Sequence, residues 1–174
     1  METFLEILKF TIPSLITFGV AYLILSKFME DQNQKRMYEF KQESHKLVTP
    51  IRLQAYERIT LFLERVAPIS LIPRLHKPGM SAKMLQQHMI KSIRSEYEHN
   101  IAQQIYVTPA IWKLVGQSKE ELIRIVNIAA TKVEPEADAI TLTKTIYAML
   151  QEIGGSPTDK ALGALKQEIF KQFK

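Results

Sequence analysis

The sequence contains no cysteine, which excludes disulfide bonds, thiolate metal ligands and a thiol nucleophile. Glycine is also scarce, with 6 residues, and no internal repeat or low-complexity segment is present. The chain has no glycine-rich phosphate loop, no H-E-x-x-H zinc motif and no G-x-S-x-G nucleophile elbow. From these absences we expect a protein that is not an enzyme and that binds no cofactor.

Apolar residues make up 46% of the 174 residues and charged residues 24%, a composition suited to one globular core with or without a membrane anchor. No segment alternates apolar and polar residues for long enough to predict a strand. We therefore predict an all-α protein, in which an N-terminal transmembrane helix and a helical stalk precede a cytoplasmic bundle of about five helices.

The uncharged run FTIPSLITFGVAYLILS lies between Lys9 and Lys27. Its length approaches the roughly 20 residues that a helix needs to cross the hydrocarbon layer. A signal peptide fits less well, because Glu2 and Glu6 make the N-terminal region acidic and no small-residue cleavage site follows. A buried core helix is the remaining alternative. We predict that residues 1–29 form a transmembrane anchor.

The flanking charges predict the orientation, because Lys and Arg near a membrane helix are enriched on the cytoplasmic side. Lys9 alone precedes the apolar run, whereas five basic residues follow it: Lys27, Lys35, Arg36, Lys41 and Lys46. The N-terminus is therefore expected outside. Residues 30–47 are polar and predict the helical stalk, and residues 48–174 are expected to form the cytoplasmic bundle.

Helix starts are indicated where a hydroxyl residue precedes proline, as at an N-cap followed by the first helical position. At the first of these dipeptides, a continuous helix through Pro50 is an open alternative. The last helix is expected to begin at Pro157. The dipeptides are Thr49-Pro50, Thr108-Pro109 and Ser156-Pro157.

Helices are expected from Ser81 to Tyr106 and from Pro109 to about Lys132, the latter unbroken despite Gly116. Apolar residues at helical spacing predict the core faces. In chain order they are Val48, Ala55, Ile59, Phe62 and Val66; Ile90, Ile93, Tyr97 and Ile101; Trp112, Val115, Leu122, Val126, Ala129 and Val133; Ala139, Leu142, Ile146, Met149 and Ile153; Leu162, Leu165, Ile169 and Phe173.

Residues 67–80, APISLIPRLHKPGM, contain three prolines and are predicted to form an irregular loop. Its apolar residues either fold back on the bundle as a lid or contact a partner protein or lipid headgroups. The residues assigned to that contact are Ile69, Leu71, Ile72, Arg74, Leu75, His76 and Lys77.

Glu96 and His99 have the Glu-x-x-His spacing that metal-binding bundles use. Such sites need a second motif of the same kind. The chain has 4 histidines, and none except His99 has a Glu three positions earlier. On a helical wheel His99 lies about 160° from the apolar direction. We predict that it faces outward and that no metal binds here.

A structural polar cluster is predicted instead. Arg52 lies in the apolar stripe of its helix, with Tyr56 beside it. Because a partly buried Arg needs a carboxylate partner, we expect Arg52 to pair with Glu96 or Glu98. The amides of Asn100 and Gln104 are expected to be hydrogen-bonded at the edge of the core. The cluster comprises Arg52, Tyr56, Glu96, Glu98, Asn100 and Gln104.

Residues 47–95 are strongly basic, with eight Lys and Arg against Glu57 and Glu64. This balance suits anionic lipid or an acidic protein. Nucleic acid is not expected, because the region lacks a reading helix and an aromatic platform, and because Arg58 and Arg65 alternate with the two acids in a way that predicts intramolecular pairing.

The leading functional hypothesis is a membrane-anchored scaffold, adaptor or accessory subunit that binds another protein or its own copies. Peripheral binding of anionic lipid through residues 47–95 and an enzyme of unrecognised type are the alternatives.

Two phrases, RLQAYERITLFLERVAP (52–68) and EYEHNIAQQIYVTPAIW (96–112), resemble a family of uncharacterised single-pass membrane proteins of Bacteroidota, and the resemblance extends over the chain. It implies a location in the inner (cytoplasmic) membrane of such a bacterium. It implies no activity and no functional residues.

Overall fold

The computed structural model describes residues 1–172, without the side chains at positions 2–6, 8, 10, 45 and 172. The described chain is all-helical, as predicted, and contains no strand. It divides into two compact units, residues 1–49 and residues 50–174. The elements are α1 (Glu2–Val66), α2 (Pro68–Leu75), α3 (Ala82–His99), a 3₁₀ helix (Ile101–Ile105), α4 (Pro109–Thr131), α5 (Ala139–Glu152) and α6 (Pro157–Gln172).

Within residues 1–49 the chain is helical from Glu2 onward, and it contains the apolar run. An 18-residue window has a mean hydropathy of 1.6, and none of it is buried. By length and composition, α1 is therefore able to cross a membrane. The Ser and Thr hydroxyl groups of the apolar run bond to carbonyls of the preceding turn, as Thr17 does to Pro13 at 2.8 Å. Such bonds allow polar residues to lie in an apolar helix without leaving a donor unsatisfied.

α1 includes Pro50, so the continuous helix is observed and the alternative of a helix start at Thr49-Pro50 is not. Proline has no N–H for the carbonyl four residues earlier, which here belongs to Lys46. Both residues are exposed, so water can satisfy that carbonyl.

The core of the second unit combines residues from every α-helix. From α1 it takes the predicted Ile59, Phe62 and Val66, all at most 1% exposed. α4 packs against α3, α5 and α6 and is central to the unit. The predicted stripe through Gly116 is confirmed, with Val115 and Leu122 buried on one uninterrupted helix.

Three predicted core positions are wrong, and one lies outside the described residues. Val48 is 49% exposed on α1. Ile101 is 48% exposed because α3 ends before it, and Ile153 is 49% exposed because it is the C-cap of α5. Leu150 is buried on α5 instead. Phe173 lies outside the described residues.

Side-chain caps define where α3, α4 and α5 begin. The predicted cap Thr108 accepts a hydrogen bond from the backbone N–H of Ile111 at 3.4 Å, and Pro109 takes the first helical position. Ser81 caps α3 and Asp138 caps α5 in the same way. These bonds satisfy N–H groups that have no partner within the helix.

The prediction of an irregular loop over residues 67–80 is wrong for its first half, which forms α2. Pro68 occupies the first helical position, where a missing N–H has no consequence. Pro73 lacks an N–H for the carbonyl of Ile69, which is 73% exposed and open to water. A helix of 8 residues therefore tolerates both prolines.

α3 ends at His99, seven residues before the predicted Tyr106. Asn100 has φ −104° and ψ 4°, and its side-chain amide donates to the carbonyl of Glu96 at 2.8 Å. A short polar side chain that bonds to the preceding turn competes with helix continuation. The following residues form the 3₁₀ helix.

Candidate interaction surface

One ion pair joins the C-terminal part of α1 to the last turns of α3. Nε and Nη2 of Arg65 each lie 2.8 Å from Oε1 of Glu96. The Arg65 side chain is 54% exposed, so the pair contributes about 0.2–1 kcal/mol to stability. The intramolecular pairing predicted for Arg65 is observed across helices, with Glu96 as the partner rather than Glu57 or Glu64.

A surface cleft of about 640 Å³ lies between these two helices. We call it the α1/α3 cleft. The wall formed by α1 includes Arg58 and the half-exposed Leu61, and the wall formed by α3 includes Ser95 and His99. Phe62 forms part of the lining and is otherwise buried in the core. The cleft is therefore lined by both apolar and charged side chains, as protein interfaces are.

Stacked aromatic rings support the Phe62 side of this cleft. The ring centroid of Phe62 lies 6.0 Å from that of Tyr97 at an angle of 65°, and Tyr97 stacks on Trp112 at 5.3 Å and 26°. Nζ of Lys119 lies 4.4 Å from the centroid of the Tyr97 ring. Edge-on, stacked and cation–π contacts each add stability beyond the buried area, so they stabilise the position of Phe62.

A second cleft, of about 520 Å³, follows the outer face of α3. We call it the α3 cleft. It is lined by Ile90, Lys91, Arg94 and Glu98, and it shares Ser95 with the α1/α3 cleft. The two clefts therefore adjoin along α3.

The expected pairing of Arg52 with Glu96 or Glu98 is wrong. Nε of Arg52 donates to the carbonyl of Tyr106 at 3.1 Å, and Nη2 donates to Oη of Tyr56 at 3.2 Å. The reason is the position of Arg52 on α1, next to the segment that follows α3, whereas Glu96 meets α1 near Arg65. Glu98 is exposed.

The carboxylate of the polar cluster comes from α6. Oη of Tyr56 donates to Oε1 of Glu168 at 2.7 Å, and the Thr108 hydroxyl donates to Oε2 of the same residue. The backbone N–H of Thr108 lies 3.4 Å from Oε1. Glu168 therefore joins α1, the start of α4 and α6.

The pKa of Tyr56 is raised above its usual 10.0. Burial of the side chain is the main cause, since it disfavours the phenolate. The hydrogen bond to Glu168 and the negative charge of that residue raise the pKa further, while the positive charge of Arg52 opposes the shift. Tyr56 is a neutral hydrogen-bond donor at physiological pH.

The remaining residues of the predicted cluster separate. Asn100 is buried and hydrogen-bonded, as expected, whereas Gln104 is exposed on the 3₁₀ helix. His99 is exposed, as the helical wheel predicts. Among the side chains that the structure describes, no group of three His, Asp or Glu residues is arranged to hold a metal ion.

The seven residues predicted to contact a partner or lipid divide between the core and the surface. Leu71 and Ile72 are buried against the core, so this part of the segment acts as a lid. Ile69 and Arg74 are exposed, and Nη2 of Arg74 donates to the carbonyl of Arg65 at 2.7 Å. Leu75 and His76 are half-buried and Lys77 is exposed.

A family model described as a family of unknown function (DUF7935) matches residues 2–172. The chain belongs to this family. The DUF7935 match includes the apolar part of α1 and every helix of the second unit. No curated protein and no solved structure matches the chain. The expected membership of an uncharacterised family is confirmed.

In this DUF7935 chain, the sequence did not predict Glu168 as part of the cluster. Its only local signal is its position between the core residues Leu165 and Ile169, at the edge of the apolar stripe of α6. Its contacts with Tyr56 and Thr108 join residues that are 112 and 60 positions apart. Helical periodicity does not identify such pairs.

Proposed function

We propose that this DUF7935 protein is a membrane-anchored, non-enzymatic helical module that binds another protein, as a scaffold, adaptor or accessory subunit. The observation that carries the proposal is the α1/α3 cleft, where the half-exposed Leu61 lines the same pocket as Glu57, Arg58 and Arg65. Apolar side chains surrounded by polar residues are typical of sites where interfaces concentrate their binding energy. The aromatic contacts of Phe62 and Tyr97 are consistent with a preformed site.

The apolar run of α1 is the proposed anchor, and the second unit is proposed to lie in the cytoplasm. The excess of Lys and Arg after the run supports this orientation. The proposed location is the inner membrane of a bacterium of the Bacteroidota, in line with the resemblance of the two phrases.

Because the chain has no cysteine, a single introduced thiol tests the orientation. Lys166 is exposed on α6, so Lys166→Cys gives the second unit one accessible thiol. In intact spheroplasts a membrane-impermeant maleimide is expected to leave it unlabelled and to label it after lysis. Labelling before lysis contradicts the orientation.

Photo-crosslinking in native membranes tests the protein-binding role. A benzophenone amino acid at Leu61, which is 52% exposed, is expected to yield an adduct with a second protein. The matched control places the same probe at Ile140, which is 48% exposed on α5. The adduct is identified by mass spectrometry and the interaction reconstituted with purified proteins. Equal yields from the two positions, or no adduct at Leu61, would remove the support for this proposal.

A further inference from the structure

The α1/α3 cleft carries a balanced set of charges, and only part of that set is paired within the chain. Its acids and arginines are Glu57, Arg58, Arg65 and Glu96. Arg65 and Glu96 bind each other. Glu57 and Arg58 are exposed and have no ion-pair partner among the side chains that the structure describes, so the intramolecular pairing predicted for Arg58 is not observed. One acid and one base therefore remain free, at adjacent positions of α1.

Four residues of α1 that line the cleft have the spacing of a hole for a facing helix. In knobs-into-holes packing, a side chain of one helix inserts among the residues i, i+3, i+4 and i+7 of the next. Gln54, Glu57, Arg58 and Leu61 have this spacing, and all four are exposed. Ile51, three positions before Gln54 and on the same face, is 46% exposed. This face of α1 is therefore open to a second helix.

The free charges of this face are complementary to those of a second copy. In a two-fold symmetric interface, residue i of one copy contacts residue j of the other, and j contacts i. An Arg58 side chain that enters the hole of the facing helix lies next to Glu57 of that helix. A single symmetric contact therefore forms two ion pairs and leaves neither charge free. Two copies of a face with charges of one sign would repel each other instead.

We propose that two copies of this chain form a symmetric dimer in which α1 of each copy packs on the α1/α3 cleft of the other. Arg58 of each copy pairs with Glu57 of the other, and the Leu61 side chains are buried between the two helices. This inference rests on the proposed protein-binding function and identifies the partner at the cleft as a second copy.

Charge reversal in the full chain tests the pairing, with the dissociation constant of the dimer measured by analytical ultracentrifugation in mild detergent. Glu57→Arg and Arg58→Glu each turn two ion pairs into two repulsive contacts. Each variant should therefore dimerise about ten-fold more weakly than the unaltered protein. The matched controls, Glu152→Arg and Lys144→Glu, reverse exposed charges on α5 and should dimerise like the unaltered protein.

Two combinations of these changes bring opposite charges together again. The double variant Glu57→Arg, Arg58→Glu should dimerise like the unaltered protein. An equimolar mixture of the two single variants should form a mixed dimer, although each variant alone dimerises weakly. Both combinations keep the average net charge of the unaltered protein, and the fluorescence of Trp112, the single Trp, reports whether each variant is folded.

Three outcomes overturn the proposal. They are an unaltered protein that stays monomeric, equal weakening in the control variants, and weakening that neither combination reverses. The crosslink from Leu61 separates this inference from the proposed function. An adduct between two copies supports both, whereas an adduct with a different protein leaves protein binding in place and refutes the symmetric dimer.

Discussion

The hydroxyl group of Tyr56 bridges two charged residues, and its removal gives a quantitative test of the polar cluster. Tyr56→Phe deletes one oxygen atom and keeps the ring in the core, where the side chain is 1% exposed. The bond to Glu168 at 2.7 Å and the bond from Arg52 at 3.2 Å are both lost.

The expected loss of stability follows from these contacts. Hydrogen bonds to charged groups contribute about 1.5–3 kcal/mol each. Arg52 and Glu168 are only half-buried, so water can replace part of what they lose, and we expect a total of about 2 kcal/mol. For a unit of about 125 residues this lowers Tm by about 8 °C.

Thermal unfolding of the full chain in mild detergent, followed by Trp112 fluorescence, measures this change. Trp112 stacks on Tyr97 within the second unit, so its signal reports that unit rather than the apolar part of α1. Tyr38→Phe is the control, because Tyr38 is 71% exposed, and its effect should stay within about 0.5 kcal/mol.

A double-mutant cycle with Glu168→Gln separates the bridge from general effects of each change. The coupling energy between the two positions should exceed about 0.5 kcal/mol, because their side chains are in direct contact. A Tyr56→Phe protein as stable as the Tyr38→Phe protein, or a coupling near zero, refutes the reasoning.

Other features of the second unit give three further expectations. Since the pKa of folded Tyr56 is raised above 10.0, the unfolded state loses its proton first, and stability should fall as pH rises above 10.0. Urea titrations across this range should show a smaller fall for Tyr56→Phe. The buried hydroxyl of Ser118 donates to the carbonyl of Pro157 at 2.9 Å, so Ser118→Ala should lower the free energy of unfolding by about 1 kcal/mol, and an unchanged urea midpoint would contradict this. Gly154 has φ +79°, so Gly154→Ala should cost about 1–2 kcal/mol, and scanning calorimetry that shows no decrease in Tm would disprove it.

Local sequence signals predicted much of the fold. The hydroxyl residue before Pro109 marked the start of α4, because capping involves residues only a few positions apart. The 3,4 spacing of apolar residues identified the buried face of α4 through Gly116. The three prolines of residues 67–80 led to the wrong prediction, because Pro68 and Pro73 occupy positions that a short helix tolerates.

The polar cluster could be predicted only in part. Arg52 and Tyr56 follow from their place in the apolar stripe, since polar groups there need partners. The identity of the carboxylate partner does not follow from the apolar stripe, because it depends on where α6 packs against α1. Glu96 was a reasonable candidate by position in the chain, yet it meets Arg65. The packing of the helices, rather than the local sequence, decides which carboxylate pairs with a given Arg.

The contact between Tyr56 and Glu168 also has a consequence for synthesis on the ribosome. The two residues are 112 positions apart. At about 5–20 residues per second, Glu168 leaves the peptidyl-transferase centre roughly 6–22 s after Tyr56. During this interval the Tyr56 hydroxyl and the cap of α4 lack their final partner. The cluster therefore closes only after α6 has emerged, which makes α6 the element that completes the nascent fold.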